Sequence, residues 1–252
     1  MTITLPTAPK VEVFADRAAM GAQAAEDVAD ELRTRLANQD IVRMIFAAAP
    51  SQSDALAALA SAEGIDWSRV HAFHMDEYIG LPADHEAGFG NWLRSHIFDR
   101  LPLGRVELLW PGDDPQAAAK TYAAKLTEAP IDLVLMGVGQ NGHIAFNDPP
   151  VADFDDPVAV KVVELDDVCR QQQVDDDCFD TFDDVPTHAL TVTVPALISG
   201  ERLFCVVPTE AKRDAVRNML TAPISEACPA TALRTHPDCT VYLDPGSDPG
   251  LD

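Results

Sequence analysis

Along this chain, apolar runs of strand length alternate with longer stretches whose apolar positions recur every three or four residues. The runs fall at 10–15, 41–49, 69–75, 106–110, 131–138, 158–165, 189–194, 202–207 and 240–243. They are rich in Val, Ile, Leu and Phe, and several are apolar on both faces, as in a sheet covered on both sides. Between the first two, Ala25, Val28, Leu32 and Leu36 lie at core-facing spacing, which predicts a long helix from about Asp16 to Ala37. Shorter helices are predicted at 53–63, 89–99, 114–127 and 209–220. Strands alternating with crossover helices predict a single doubly wound α/β domain with a mostly parallel sheet flanked by helices. Its core should span about residues 10–243. The acidic stretch "DDDCFDTFDD" (175–184) and the tail "DPGSDPGLD" (244–252) read as loose.

Composition narrows the function classes. A chain of 252 residues that is 47% hydrophobic can bury a sizeable core. Eighteen Lys plus Arg against 41 Asp plus Glu give a formal charge of −23, which repels nucleic acid and anionic membrane surfaces. Neither is expected as a partner. No apolar run reaches the roughly 18 residues of a membrane span, and the first residues lack the basic and apolar regions of a signal peptide. A cytoplasmic location is the expectation. The five cysteines are odd in number and show no C-x-x-C spacing, so they read as reduced thiols.

Ligands of an open α/β sheet lie beyond the carboxyl ends of its strands, and two such loops carry chemistry. "GVGQNGHIAFNDPP" (137–150) opens with Gly137, Gly139 and Gly142 in a G-x-G-x-x-G pattern. A dinucleotide site needs a helix to start at the third glycine and an acidic residue about 20 positions later. Pro149 and Pro150 leave too little room for that helix. What remains is a pliant backbone with His143 close to Asp148, and an imidazole oriented by a carboxylate can move protons near neutral pH. A histidine that merely hydrogen-bonds a turn fits the spacing equally. The second loop, "AFHMDEYIGLP" (72–82), puts Asp76 and Glu77 just past a strand, where a carboxylate can act as a base. A capping or solvated Asp is the alternative. His71 and His74 face opposite sides of their strand, and no third ligand stands at diagnostic spacing, so no metal site is predicted.

Together, these two stretches resemble the paired signatures of the glucosamine-6-phosphate deaminase family, also called glucosamine-6-phosphate isomerases. "VPTHALTVTVPALISG" (185–200) and "VVPTEAKRDAV" (206–216) recur in that family's order, so the likeness spans about residues 10–243. The sister 6-phosphogluconolactonases share the fold, but their histidine loop typically continues GHTASLFP where this chain reads "GHIAFNDP". The resemblance implies a Rossmann-like domain. It also implies cofactor-independent conversion of glucosamine 6-phosphate and water to fructose 6-phosphate and ammonia, with a small amino sugar phosphate as partner. Homo-oligomers occur in the family. A lactone hydrolase and a non-catalytic sugar phosphate sensor stay open as alternatives.

By the same resemblance, His143 would open the sugar ring and Asp76 would carry a proton from C2 to C1. Asp148 would orient His143, and Asn141 would shape the loop where relatives frequently carry Asp-Gly-His. Glu77 should point away from Asp76 on an extended backbone. Gly139 and Gly142 supply loop backbone around the substrate. For the phosphate, Ser51, Gln52 and Ser53 precede a helix whose free amides suit an anion, although relatives often carry a Gly-Gly-Thr-Pro type loop there. Ser53 as an ordinary N-cap is the alternative. The resemblance selects Lys212 as the local cation, with Arg170 as a second candidate that a surface role would explain equally.

Overall fold

Strands that are apolar on both faces end up at the centre of a seven-stranded sheet. In the computed structural model, which describes residues 9–251, the chain begins β1 (Lys10–Val13), α1 (Arg17–Leu36), β2 (Val42–Phe46), α2 (Ser53–Ala60), β3 (Val70–His74) and β4 (Asp76–Tyr78). It continues α3 (Phe89–His96), β5 (Arg105–Glu107), α4 (Pro115–Leu126), β6 (Leu133–Met136), β7 (Val160–Glu164) and α5 (Asp167–Asp175). The last elements are β8 (His188–Val192), α6 (Val194–Ile198), β9 (Arg202–Val207), α7 (Arg213–Thr221) and β10 (Cys239–Leu243). The large sheet has the order β1-β10-β9-β6-β2-β3-β5, and every pairing in it is parallel.

Strand alternation sends successive side chains to opposite faces. Met44 and Phe46 of β2, Leu133 and Leu135 of β6, and Phe204 and Val206 of β9 join one core with α1, α2 and α3. Ile45, Val134, Met136, Cys205 and Val207 join another with α4, α6 and α7. This is the expected α/β sheet flanked by helices. Helix starts follow local chemistry: Asp16 accepts from Ala19 N–H at 2.8 Å to cap α1, and Asp114 does the same for Ala117 at 3.0 Å ahead of Pro115 in α4. Among the described residues, no helix is long and apolar enough to cross a membrane.

Three expectations are corrected. The runs at 158–165 and 189–194 do not join the parallel sheet. They become β7 and β8, antiparallel partners in a small sheet completed by β4, with Asp76 opposite Thr191. The stretch 175–184 is not loose: it leaves the end of α5 and closes in a 3-10 turn at Phe182–Asp184. The tail is folded at least through Ser247, because the buried Asp244 carboxylate accepts N–H groups of Ser247 at 2.8 Å and Thr209 at 3.1 Å.

The winding positions the site. From β2 the chain moves outward to β3 and β5, then returns to place β6 on the other side of β2 and continues through β9 and β10. Connections therefore leave the carboxyl ends of β2 and β6 in opposite directions, and a crevice opens between them.

Candidate functional site

A cleft opens at this crevice, with about 560 Å³ of space that runs out into solvent. Beyond β2 it is lined by Ser51 and Gln52, at the start of β4 by Asp76, beyond β6 by Gly139 and His143, and beyond β9 by Lys212. Four separate segments thus converge on one cavity.

The His143 loop is a closed hydrogen-bonded unit. Gly139 N–H donates to His143 C=O at 2.9 Å, and His143 N–H donates to Asn141 Oδ1 at 3.0 Å. A side chain at Gly139 would run into the His143 ring, and Gly142 takes φ +84° against Cys228, so both positions need glycine. His143 Nδ1 lies 2.9 Å from Asp148 Oδ1, though off the N–H axis, which makes this an electrostatic contact more than an aligned hydrogen bond. Asn141 Nδ2 clips Asp148 Oδ1 at 3.0 Å to Asp166 Oδ2 at 3.1 Å, and Asp166 N–H donates to Asp148 Oδ2 at 3.1 Å. Burial pushes the Asp148 carboxyl up, but His143, the Asn141 amide and the Asp166 N–H outweigh it and hold the group below its ordinary value. Asp148 and Asn141 therefore stand behind the histidine and do not line the cleft. The Cys169 thiol completes the cluster: the potential ligand atoms of His143, Asp148 and Cys169 all lie within 4.8 Å of one another. Burial and the charge of Asp148 push that thiol well above the ordinary range and keep it protonated.

Asp76 faces the cleft from the first position of β4, and its carboxylate has no hydrogen-bond partner among the described residues. Burial and the neighbouring Glu77 charge push it well above the ordinary carboxylate range. Glu77 points elsewhere, as an extended backbone dictates. Its carboxylate accepts N–H groups of Tyr78 at 2.9 Å, Phe89 at 3.0 Å and Gly90 at 2.8 Å, which fixes the start of α3. Burial nevertheless raises Glu77 to about 7 against those three donors.

The expected phosphate residues separate into two groups. Lys212 is 4% exposed, its Nζ has no partner among the described residues, and burial lowers it to about 8. Gln52 is fully buried; its Nε2 donates to Val206 C=O at 3.1 Å and to Ser51 Oγ at 3.3 Å, and its Oε1 has no partner among the described residues. Ser53, Gly142 and Arg170 do not line the cleft. The N–H groups of Gln52 and Ser53 are consumed by Ala49 C=O and Pro50 C=O in a 3-10 turn, so the helix start offers an anion fewer amides than expected. Ser53 is the first residue of α2 and caps nothing with its hydroxyl. Arg170 donates to the carbonyls of Phe182 at 2.9 Å and Val185 at 3.0 Å, with its guanidinium over the Phe182 ring, so it braces a loop.

Sequence reasoning missed Gln172, Gln173 and Asp176, which line the cleft from α5 and just beyond it. Their only signal was the run of three adjacent amides in "CRQQQVDD", which carries no apolar helical stripe.

The fold and the converging cleft define an α/β protein with a small-molecule cleft at the switch point of its sheet. The sequence profile described as "Glucosamine-6-phosphate isomerases/6-phosphogluconolactonase" matches residues 15–242, and the chain belongs to that family. Glucosamine-6-phosphate deaminase of Bacillus thuringiensis (strain Al Hakam) is 34% identical over 181 residues, 71% of this chain and 67% of that one. A monomeric glucosamine-6-phosphate deaminase of known structure superimposes with a TM-score of 0.87 at 26% identity, covering 94% of this chain and 98% of that one. The 6-phosphogluconolactonase of Thermotoga maritima shares the fold, with a TM-score of 0.76 at 16% identity over 94% of this chain and 99% of that one.

Proposed function

We propose that this protein is a cofactor-independent deaminating isomerase that converts glucosamine 6-phosphate and water to fructose 6-phosphate and ammonia. The observation that carries the reading is one cleft joining an unpartnered carboxylate, a carboxylate-backed histidine and a buried ammonium. The reaction needs those three. His143 protonates the ring oxygen and accepts the anomeric hydroxyl proton, which opens the pyranose. Asp76 then removes the C2 proton and returns it to C1, giving an imine that water hydrolyses to the ketone and ammonia. Asp148 and Asn141 hold His143 in position, Lys212 neutralises the phosphate, and Ser51 and Gln52 fix its surroundings. Gly139 lets the loop backbone approach the substrate.

A lactone hydrolase would use the histidine but would leave Asp76, unpartnered and aimed into the cleft, without a proton to carry. The test supplies glucosamine 6-phosphate and 6-phosphogluconolactone separately and follows ammonia release and lactone loss. Ammonia release with little lactone loss is expected. Asp76→Asn should lower kcat by about 10²-fold or more with KM little changed, because the group acts on the transition state. Lactone turnover without ammonia, or an Asp76→Asn variant at near-normal rate, would overturn the assignment.

A further inference from the structure

One face of α5 touches each catalytic segment. Gln172 Oε1 accepts Gln140 N–H at 2.9 Å, and its Nε2 donates to Asp176 Oδ2 at 3.2 Å. Gln173 Oε1 accepts the buried Tyr78 hydroxyl at 2.8 Å. Both glutamines are more than nine-tenths buried and both line the cleft. The protein therefore fixes the carbonyl end of each amide. Gln173 Nε2 has no hydrogen-bond partner among the described residues, and the residue lines the cleft, so its two N–H donors are left to water or to a ligand.

Burying an amide where Leu or Met would pack is costly unless a polar group meets it. The chemistry of the wall says which group. Neutral amide donors beside the Asp176 carboxylate match hydroxyls, which both donate and accept. Uncharged amides are weaker partners for a phosphate dianion than the Lys212 ammonium, whose charge Asp176 supports, and amides cannot carry the proton traffic that falls to Asp76 and His143. We propose that Gln173, supported by Gln172 and Asp176, reads the hydroxyl groups of the substrate's carbon chain and so sets its stereochemical preference. The proposal rests on the sugar phosphate reading of the cleft and extends it to a specificity-determining wall. An epimer that turns its hydroxyl away leaves Gln173 Nε2 unpaired, a loss of about 10-fold or more in affinity.

Gln173→Met alone would orphan the buried Tyr78 hydroxyl, so the substitution is read in a Tyr78→Phe background, where both partners become apolar groups of similar shape. Calorimetry compares glucitol 6-phosphate, which carries the hydroxyls and the phosphate, with methyl phosphate, which carries only the phosphate. Relative to Tyr78→Phe, the double variant should bind glucitol 6-phosphate about 10-fold more weakly while methyl phosphate changes less than about 2-fold. In turnover, KM for glucosamine 6-phosphate should rise with kcat nearly constant, and the ratio of kcat/KM between glucosamine 6-phosphate and galactosamine 6-phosphate should move toward one. Equal losses for both phosphates, no loss for either, or a parent protein that binds glucitol 6-phosphate no better than methyl phosphate would overturn the proposal. The binding arm reads the wall even if glucosamine 6-phosphate is not turned over, so failure of the deaminase reading shows separately.

Discussion

Lys212 shows how much burial can alter a single charge. Its ammonium is stripped of water in a cleft wall and titrates near 8 where an exposed lysine would stay charged two units higher. Below that point the side chain attracts a phosphate dianion; above it the attraction is gone while the phosphate keeps its charge. Affinity for the phosphorylated substrate should therefore fall as pH rises through about 8, with kcat/KM dropping toward tenfold per unit beyond it. Initial rates from pH 6 to 10 at constant ionic strength check this, with Lys212→Met as the control that starts with weak binding and lacks the limb. A limb unchanged in Lys212→Met would assign it to another group.

At the scale of elements, the critical joint is the short passage from β3 to β4, where the chain leaves one sheet for another and delivers Asp76. Tyr122 on α4 guards it: its hydroxyl accepts His74 N–H at 2.9 Å and donates to His74 C=O at 2.8 Å. Tyr122→Phe strands two buried backbone groups, so unfolding free energy should fall by about 2–4 kcal/mol in denaturant titrations. Turnover should suffer more than KM, because Asp76 lies two residues beyond the loosened joint. A variant as stable and as fast as the parent would mean that the joint holds without the clip. This passage also marks the limit of what the pattern along the chain could reveal. Period-two alternation identifies a strand and its two faces, and it located β7 and β8, but the same alternation serves a parallel sheet or an antiparallel one, so their separate sheet was missed, and β4, which pairs with β8, is too short at three residues to show a period. The helix α5 was invisible for a related reason: its buried face is Cys169, Gln172 and Gln173, and two amides replace the apolar stripe that announces a helix. Asp76 and His143 stood out as chemistry-bearing residues in loops just past strands, the family resemblance selected Lys212, and all three line the cleft. The bracing role of Arg170 was not, since its partners are backbone carbonyls that only the folded chain brings near.

The whole molecule carries a formal charge of −23, and a dianionic substrate must approach through that field. Added salt screens both the repulsion within the fold and the repulsion of the substrate. Raising KCl from about 0.05 to 1 M should therefore raise Tm and raise kcat/KM for glucosamine 6-phosphate, the reverse of the usual salt effect on a charged pair. A fall in both would show that local cation contacts dominate the field. The sheet order has a further consequence during synthesis. The partner of Lys10 in β1 is Thr240 in β10, so at roughly 5–20 residues per second the emerging β1 must wait on the order of tens of seconds for its one neighbour among the described strands. The β2, β3 and β5 strands, with α2 between them, complete their pairing from nearby sequence long before that. Growth of the sheet on the ribosome thus starts away from the first strand, whose Val11 and Val13 stay unpaired in the nascent chain, and the strand made first is seated last.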